Sequence, residues 1–410
     1  MPDHLPHIMK PSFLWHWRSW DDIKQASTFT KANYTNIILI VVFLFLALRQ
    51  VRSNQAASKK AGYEKRFLKS PDFPDIEEQE DFDWKTTEPL QFRPFKPKYH
   101  LTMAESDDSA LENLNPTELL VIDKTYADRI DYRRRIMAEH GTHVVNVHDD
   151  MRIRPAVVEL YTFLMGTYLP LRFPQVFKLH ETEYEQGKTF MLENKVTGSL
   201  FAARPTPSTA TMRLLEILGQ TVDEDFLFLL PEEDGGDDPK YVLEAYVTVC
   251  PSGFDPAQKI GKRLAAIHDP VPGYRSKLES SMDRFFSKIE VGKYVRRVNW
   301  AITTNTELYA AGKGTTHAHE GDEVQELKEI DVDKTFVRCE RQTLHRLPKS
   351  KALVFAFHTY LYPIQQIKEE GGGEELATAI DGLKLGSTPQ MHFYKRGAVW
   401  GEAVKEYLRS

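Results

Sequence analysis

An apolar run near the start of the chain dominates its hydropathy pattern. Residues 37–48 read IILIVVFLFLAL, and Tyr34 extends the run on its N-terminal side. The run is shorter than the ~20 residues that a transmembrane helix prefers, so a buried helix and a signal-peptide core are the alternatives. No A-x-A-like cleavage site follows, and a basic cluster comes directly after it: Arg49, Arg52, Lys59, Lys60, Lys65 and Arg66. We therefore predict a single-pass membrane anchor over residues 34–50.

The charges on the two sides of this run predict its orientation. The preceding segment, residues 1–33, carries fewer basic residues, namely Arg18, Lys24 and Lys31. The positive-inside rule then places the C-terminal bulk of the chain in the cytosol, and we expect the membrane to be that of the endoplasmic reticulum. The N-terminal segment is polar and aromatic by turns, and its tryptophans are expected to act as interface anchors: Trp15, Trp17 and Trp20.

A change of composition separates the anchor from the rest of the chain. Residues 51–92 are first basic and then rich in Pro, Asp and Glu, with little periodicity, so we predict a linker. A globular domain is expected over residues 93–365. Residues 366–410 are expected to form a C-terminal extension.

Periodicity within the domain predicts helices followed by a meander of strands. Apolar stripes at helical spacing favour helices at residues 119–140, 156–169 and 281–289, and the basic run 133–135 is expected on a solvated face. Alternating positions favour strands at residues 241–249, 298–303, 336–344 and 353–361. This order is typical of an α+β fold in which an antiparallel sheet is flanked by helices.

Residues 254–274, reading FDPAQKIGKRLAAIHDPVPGY, specify both ends of one predicted helix. Asp255 is a suitable N-cap and Pro256 suits the first helical position. An apolar stripe follows at Ile260, Leu264 and Ile267, and Pro270 and Pro272 end the helix just after His268. A lone histidine in a last turn usually bonds the free carbonyl groups there, but it can also be a ligand to a metal or haem iron. The local sequence leaves both alternatives open.

Composition narrows the possible chemistry. The chain has 410 residues, of which 41% are hydrophobic and 27% charged, enough for one large domain or two small ones. Cys250 and Cys339 make no CxxC pair, so thiolates of this chain cannot assemble a zinc site or an iron–sulfur cluster. The formal charge of -6 is spread over residues of mixed sign, which argues against nucleic acid as the main partner.

A series of ordered motifs indicates a family. The motifs include RPFKP at 93–97, LPLRFP at 169–174, VCPSGF at 249–254, IHDPVPGY at 267–274, NW at 299–300 and RCERQTL at 338–344. With these, the chain resembles the haem-dependent oxidative N-demethylase family, including its fungal members of HRQ type. The resemblance implies a PAS-like sheet that holds haem b and oxidises a secondary or tertiary amine with O2, releasing formaldehyde. It also implies that electrons arrive from partners carrying flavin and an iron–sulfur cluster.

Under this resemblance, His268 is the expected axial ligand of the haem iron. His100 is the next choice. His358, in the last predicted strand, either faces the pocket or is a core residue. His317 and His319 lie in the loop GKGTTHAHE, where an exposed position is favoured over metal binding.

Two acidic residues are candidates for catalysis. Glu224 precedes a very apolar run, and burial there would raise its pKa to a value useful for proton delivery; the alternative is an ordinary charge at a helix end. Glu340 alternates with Arg341 on a predicted strand, so one of the two side chains points inward.

Further residues are expected to bind the cofactor or substrate. Haem propionates would pair with inward-facing arginines, for which the candidates are Arg338, Arg341 and Arg346; without haem, these would form surface ion pairs. Asn299 is expected to hydrogen-bond substrate or bound oxygen. Trp300 is expected to line the pocket, with simple core packing as the alternative.

The predicted anchor and the family resemblance together imply a membrane-anchored, cytosol-facing haem monooxygenase. It would demethylate a small amine or metabolite with O2, and an external flavin or iron–sulfur reductase would supply electrons. A haem-based gas or redox sensor or carrier without turnover is the alternative from another class, and a scaffold that has lost haem is a weaker one.

Overall fold

The computed structural model describes residues 34–68, 70–101, 111–184, 187–233, 239–312 and 316–410. The predicted N-terminal segment 1–33, with its three tryptophans, lies outside the described residues. The chain divides into two compact units, Met1–Arg66 and Phe67–Ser410.

The apolar run of the first unit is helical, as predicted. Helix α1 (Tyr34–Leu68) extends well beyond the expected anchor and includes the basic cluster. Its window Ile38–Gln55 is long and apolar enough to cross a membrane, and the large apolar side chains of residues 38–46 are exposed. A signal sequence near an N-terminus satisfies the same criteria, so the helix by itself is weak evidence for an anchor.

The second unit combines helices with strands. Its described helices are α2 (Tyr126–His140), α3 (Asp150–Phe163), α4 (Leu169–Arg172), α5 (Thr211–Gly219), α6 (Leu264–His268), α7 (Glu279–Lys288), α8 (Ile364–Glu369), α9 (Gly373–Leu385), α10 (Met391–Tyr394) and α11 (Gly397–Arg409). Its described strands are β1 (Glu112–Asn113), β2 (Val145–Val147), β3 (Phe177–Tyr184), β4 (Gly187–Asn194), β5 (Ser199–Ala202), β6 (Asp225–Pro231), β7 (Tyr241–Val247), β8 (Tyr294–Thr303), β9 (Phe336–Arg346) and β10 (Leu353–Pro363).

The strands form two antiparallel sheets. The larger sheet has seven strands in the order β1-β8-β9-β10-β6-β7-β2, and β3-β4-β5 form a separate three-stranded meander. Each strand of the large sheet pairs antiparallel with its neighbours. The predicted antiparallel sheet with helices is therefore confirmed, and all of its predicted strands are present.

Helices cover both faces of the large sheet because its strands are apolar on both sides. On β6, Phe226 and Phe228 pack with residues of α2, α3 and α5, whereas Leu227 and Leu229 pack with residues of α6 and α7. Side chains alternate between the faces of a strand, so the unbroken apolar run of β6 indicates burial on both.

Segments expected outside the domain are part of the second unit. Phe73, in the predicted linker, stacks on Phe163 of α3 with ring centroids 3.9 Å apart. The expected C-terminal extension supplies core residues from α8, α9 and α11, which pack against Trp300 and Val337 of the sheet. The packed unit therefore begins before residue 93 and continues beyond residue 365.

The prediction of one continuous helix from Pro256 to His268 is wrong. Asp255 does cap a turn, since its Oδ1 accepts a hydrogen bond from the Ala257 N–H at 3.0 Å, but that turn is the 3₁₀ segment Pro256–Gln258. Gly261 then adopts φ +72°, and its N–H donates to the carbonyl of Leu243 at 2.8 Å. A Cβ at Gly261 would lie 2.7 Å from Nε2 of His148. Pairing with β7 thus interrupts the helix, which resumes as the short α6.

Candidate functional site

One face of the large sheet forms the floor of a cavity of about 760 Å³. Helix α6 and the following π-helical turn Tyr274–Leu278 cover it, and the segment 91–101 and α10 supply further wall. Much of the wall is apolar, including Leu227, Leu243, Val295 and Phe357. The volume lies within the range of about 300–1,000 Å³ that is usual for small-molecule and cofactor sites.

His268 lies on the wall of this cavity at the end of α6. Its Nδ1 is 2.9 Å from the carbonyl oxygen of Leu264, one turn earlier, and its ring stacks on Tyr274 at 4.9 Å between centroids. Burial lowers the pKa of the imidazole to about 4, so the ring is neutral at physiological pH. Because a carbonyl accepts only from N–H, Nδ1 carries the proton and Nε2 keeps its lone pair. From the local sequence, His268 could either bond a carbonyl group at the helix end or be a metal ligand. This geometry is compatible with both, because Nδ1 makes the helix-end bond and Nε2 keeps its lone pair.

Two other candidate histidines also line the cavity. His100 lies in the segment 91–101, and His317 stacks on Tyr394 with centroids 4.3 Å apart. Burial lowers the pKa of His317 to about 3. The expectation of an exposed loop is wrong for His317 and His319, since both side chains are half-buried.

A row of hydrogen-bonded polar side chains runs along the sheet floor. Nε of Arg297 on β8 donates to Oε1 of Gln342 on β9 at 2.7 Å, and Nε2 of Gln342 donates to Oε2 of Glu340 at 2.9 Å. All three residues line the cavity. Nε of Arg338 lies 3.8 Å from Oε1 of Glu340, beyond hydrogen-bond distance. Glu340 therefore points inward, and Arg341 lies on the opposite face of β9.

Lys395 joins the same wall from the loop after α10. Its Nζ donates to Oδ1 of Asn299 at 3.1 Å and to the carbonyl oxygen of Trp300. Burial lowers the pKa of this ammonium group to about 8, opposed by the negative charge of Glu340. Asn299 and Trp300 are both among the residues that line the cavity, and the indole ring of Trp300 also packs edge-on against Phe95 in the core.

Glu224 is not among the residues that line the cavity. It is 1% exposed, and its Oε1 lies 3.9 Å from Nη1 of Arg341 and 3.8 Å from Nδ1 of His358. Neither carboxyl oxygen has a hydrogen-bond partner among the described residues. Burial raises the pKa of this carboxyl group from 4.5 to about 8. His358 therefore lies in the core, next to Glu224, whose carboxyl group stays protonated near neutral pH.

This burial predicts a pH-dependent effect of Glu224→Gln. Between pH 4.5 and about 8, the folded protein holds the Glu224 proton that the unfolded chain has lost, so rising pH destabilises the wild type. The amide does not titrate. The free energy of unfolding of the variant, relative to that of the wild type, should therefore rise across this window and stay constant above it. Urea unfolding of the full chain at pH values from 5 to 9 measures the difference. Glu139→Gln, at an exposed position of α2, is the matched control; a constant difference for Glu224→Gln would contradict the prediction.

The three arginines expected to pair haem propionates have main-chain partners. Arg338 donates to the carbonyl of Cys250 at 2.7 Å, Arg341 to that of Leu119 at 3.1 Å, and Arg346 to that of Ile289 at 2.8 Å. None of the three lines the cavity. The cationic side chains that do line it are Arg93, Lys96, Lys98, Arg296, Arg297 and Lys395.

Sequence reasoning missed Arg297, Gln342 and Lys395. Strand alternation could have indicated the first two. Arg297 lies two residues from Asn299, and Gln342 two residues from Glu340, so each pair shares one face of its strand. Lys395 lies in the expected C-terminal extension, far along the chain from its partners, and no local pattern marks it.

The cavity has the features that haem requires of a protein site. Nε2 of a neutral, oriented imidazole suits haem iron, apolar walls suit a porphyrin, and cationic side chains suit its propionates. Among the described residues, no group of three or more His, Cys, Asp or Glu side chains is arranged to hold a metal ion.

Comparison with protein families gives a match over most of the second unit. The profile described as haem-dependent oxidative N-demethylase, alpha subunit-like, matches residues 110–405. The match includes the strands and helices around the cavity and continues beyond β10 into α11.

Proposed function

Because this chain belongs to the haem-dependent oxidative N-demethylase, alpha subunit-like family, we propose that it binds haem b through His268 and demethylates a small amine. The family implies a small-molecule substrate and oxygen. The observation that carries the assignment to this site is the neutral His268, whose Nδ1–H is fixed by Leu264 at the wall of a large, mostly apolar cavity. A backbone acceptor on Nδ1 is one of the usual ways in which proteins orient a metal-ligating histidine.

The proposed reaction converts an N-methyl amine, O2, two electrons and two protons into the demethylated amine, formaldehyde and water. One oxygen atom enters a methyl C–H bond, and the other leaves as water. The C–N bond of the resulting hydroxymethyl amine then breaks, which gives formaldehyde and a new N–H bond. Haem, when bound, supplies the iron at which O2 is reduced. An external flavin or iron–sulfur reductase supplies the electrons, since this chain has no cysteine pair for a cluster of its own.

The residues that line the cavity are proposed to bind and orient the substrate and to exclude water. Oε1 of Glu340 has no hydrogen-bond donor among the described residues, so it is placed to accept the N–H of a bound amine. Lys395 fixes Oδ1 of Asn299, which leaves the amide N–H groups of Asn299 for the substrate or oxygen. The apolar wall excludes water, which strengthens these interactions. Glu224 lies outside the cavity, and any role in proton delivery would act through the buried cluster of Arg341 and His358.

We further propose that α1 anchors the enzyme to a membrane, with the second unit in the cytosol. The exposed apolar window Ile38–Gln55 and the basic residues that follow it support this orientation.

Absorption spectra of the purified full chain, oxidised and reduced with dithionite, test haem binding, and formaldehyde release from methylamines under O2 with a reductase tests turnover. We expect a Soret band and formaldehyde. Absence of haem after expression with adequate iron would overturn the proposal. Haem without formaldehyde from any amine would overturn the demethylase activity and favour a carrier or sensor.

A further inference from the structure

The row formed by Arg297, Gln342 and Glu340 holds opposite charges side by side on the cavity floor. Arg297 and Gln342 are paired across β8 and β9, and Glu340 lies two residues along β9, on the same face. The two hydrogen bonds of the Gln342 amide fix both neighbours, one through its oxygen and one through its nitrogen. One amide thus positions a cation and an anion toward the same space.

Both charged groups keep atoms available for a ligand. Only Nε of Arg297 is hydrogen-bonded among the described residues, so its two terminal nitrogens remain available, as does Oε1 of Glu340. The neighbouring Arg296 differs, because its Nε binds Oε2 of Glu112 at 2.9 Å. Arg297 has no carboxylate partner within the described part of the chain.

This arrangement matches a ligand that carries both charges. A guanidinium group with two free N–H donors binds a carboxylate in bidentate fashion, and a carboxylate accepts from a substituted ammonium group. A simple alkylamine would leave Arg297 without a partner. A haem propionate at Arg297 would lie next to the Glu340 carboxylate, and the two like charges would repel each other.

We propose that the amine demethylated in this cavity is an N-methylated amino acid, whose carboxylate binds Arg297 and whose amine binds Glu340. Gln342 is the positioning residue for both. The inference rests on the proposed function, since it names the substrate class of the same site.

Calorimetric titration of the full chain with N,N-dimethylglycine and with its methyl ester tests the proposal. The ester keeps the amine and loses the negative charge. We expect the wild type to bind the acid about tenfold or more tightly than the ester, the effect of one charge-assisted bidentate contact. Equal affinities would overturn the proposal, and this comparison needs no variant.

Variants then test which residue causes the preference for the acid over the ester. Arg297→Gln should bind the acid as weakly as the ester, and Arg297→Lys should retain part of the preference. Arg284→Gln, at an exposed position of α7 that does not line the cavity, is the matched control and should keep the preference intact. Gln342→Met should raise KM for the acid while kcat stays close to the wild-type value; a fall in kcat alone would contradict the positioning role. If Arg297→Gln loses haem but keeps the preference for the acid, Arg297 serves the cofactor and the proposal is wrong.

The two proposals fail in different ways. Preference for the acid without formaldehyde from any amine would overturn the demethylase activity and support the binding assignment. Formaldehyde released equally well from acid and ester, with equal affinities, would overturn the substrate class alone.

Discussion

His268→Ala is expected to abolish the Soret band of the purified protein and its formaldehyde release together. The imidazole is the neutral nitrogen ligand that Leu264 orients on the cavity wall, and alanine leaves the iron without that ligand. Spectra of the reduced and oxidised variant, with a haem assay on the denatured protein, measure the loss. Because burial lowers the pKa of His268 to about 4, the imidazole is neutral at pH 6 and haem should stay bound there; a proton should compete with iron for Nε2 only below about pH 4.

The controls separate the candidate ligands from one another. His143 is exposed and does not line the cavity, so His143→Ala should keep a full Soret band. His317→Ala and His100→Ala remove the other histidines of the wall and should alter the band without eliminating it. A normal spectrum in His268→Ala, with loss in His317→Ala, would transfer the ligand role to His317.

The sheet could be predicted because its signal is local. Side chains alternate between the two faces of the sheet along β9 and β10. Each strand is an uninterrupted run of apolar residues or of apolar and polar residues together, and the turn at 348–350 separates the two strands. The same alternation predicted that one of Glu340 and Arg341 points inward, and in the structure it is Glu340 that lines the cavity. Side-chain direction within a strand follows from parity alone, so no knowledge of the partner strand is needed.

Elsewhere, distant contacts decide the structure. The capping signals at Asp255 and Pro256 are real, yet Gly261 pairs with Leu243 of β7 and interrupts the helix that they begin. A glycine inside a helical pattern lowers helix stability only modestly, so the sequence alone gave no reason to expect a break. The position of Lys395 beside Asn299 likewise depends on how α10 packs, which no local pattern specifies.

The basic run 133–135 of α2 was expected on a solvated face, and for Arg133 this is wrong. Its side chain is 1% exposed, whereas Arg135 is exposed. Nη1 of Arg133 donates to Oδ1 of Asp225 at 2.7 Å, and its Nε donates to the carbonyl of Gly219 at 2.9 Å. Neighbours on a helix point in different directions, so one of three consecutive arginines can enter the core. A buried arginine of this kind is satisfied only by partners far along the chain.

Arg133→Ala is therefore expected to lower the free energy of unfolding by about 3–5 kcal/mol, because it leaves Asp225 as a buried charge without its closest cation. Asp225 also accepts hydrogen bonds from the N–H groups of Val249 and Cys250. The segment just after β7 should therefore be destabilised as well. Urea unfolding of the full chain measures the loss.

Arg135→Ala is the matched control on the same helix and should change the free energy of unfolding by no more than about 0.5 kcal/mol, as is usual at exposed positions. Asp225→Asn removes the charge that Arg133 neutralises. If the ion pair causes the effect, Arg133→Ala combined with Asp225→Asn should lose less stability than the sum of the two single variants. Strict additivity, or equal losses for Arg133→Ala and Arg135→Ala, would show that the pair does not hold α2 to the sheet.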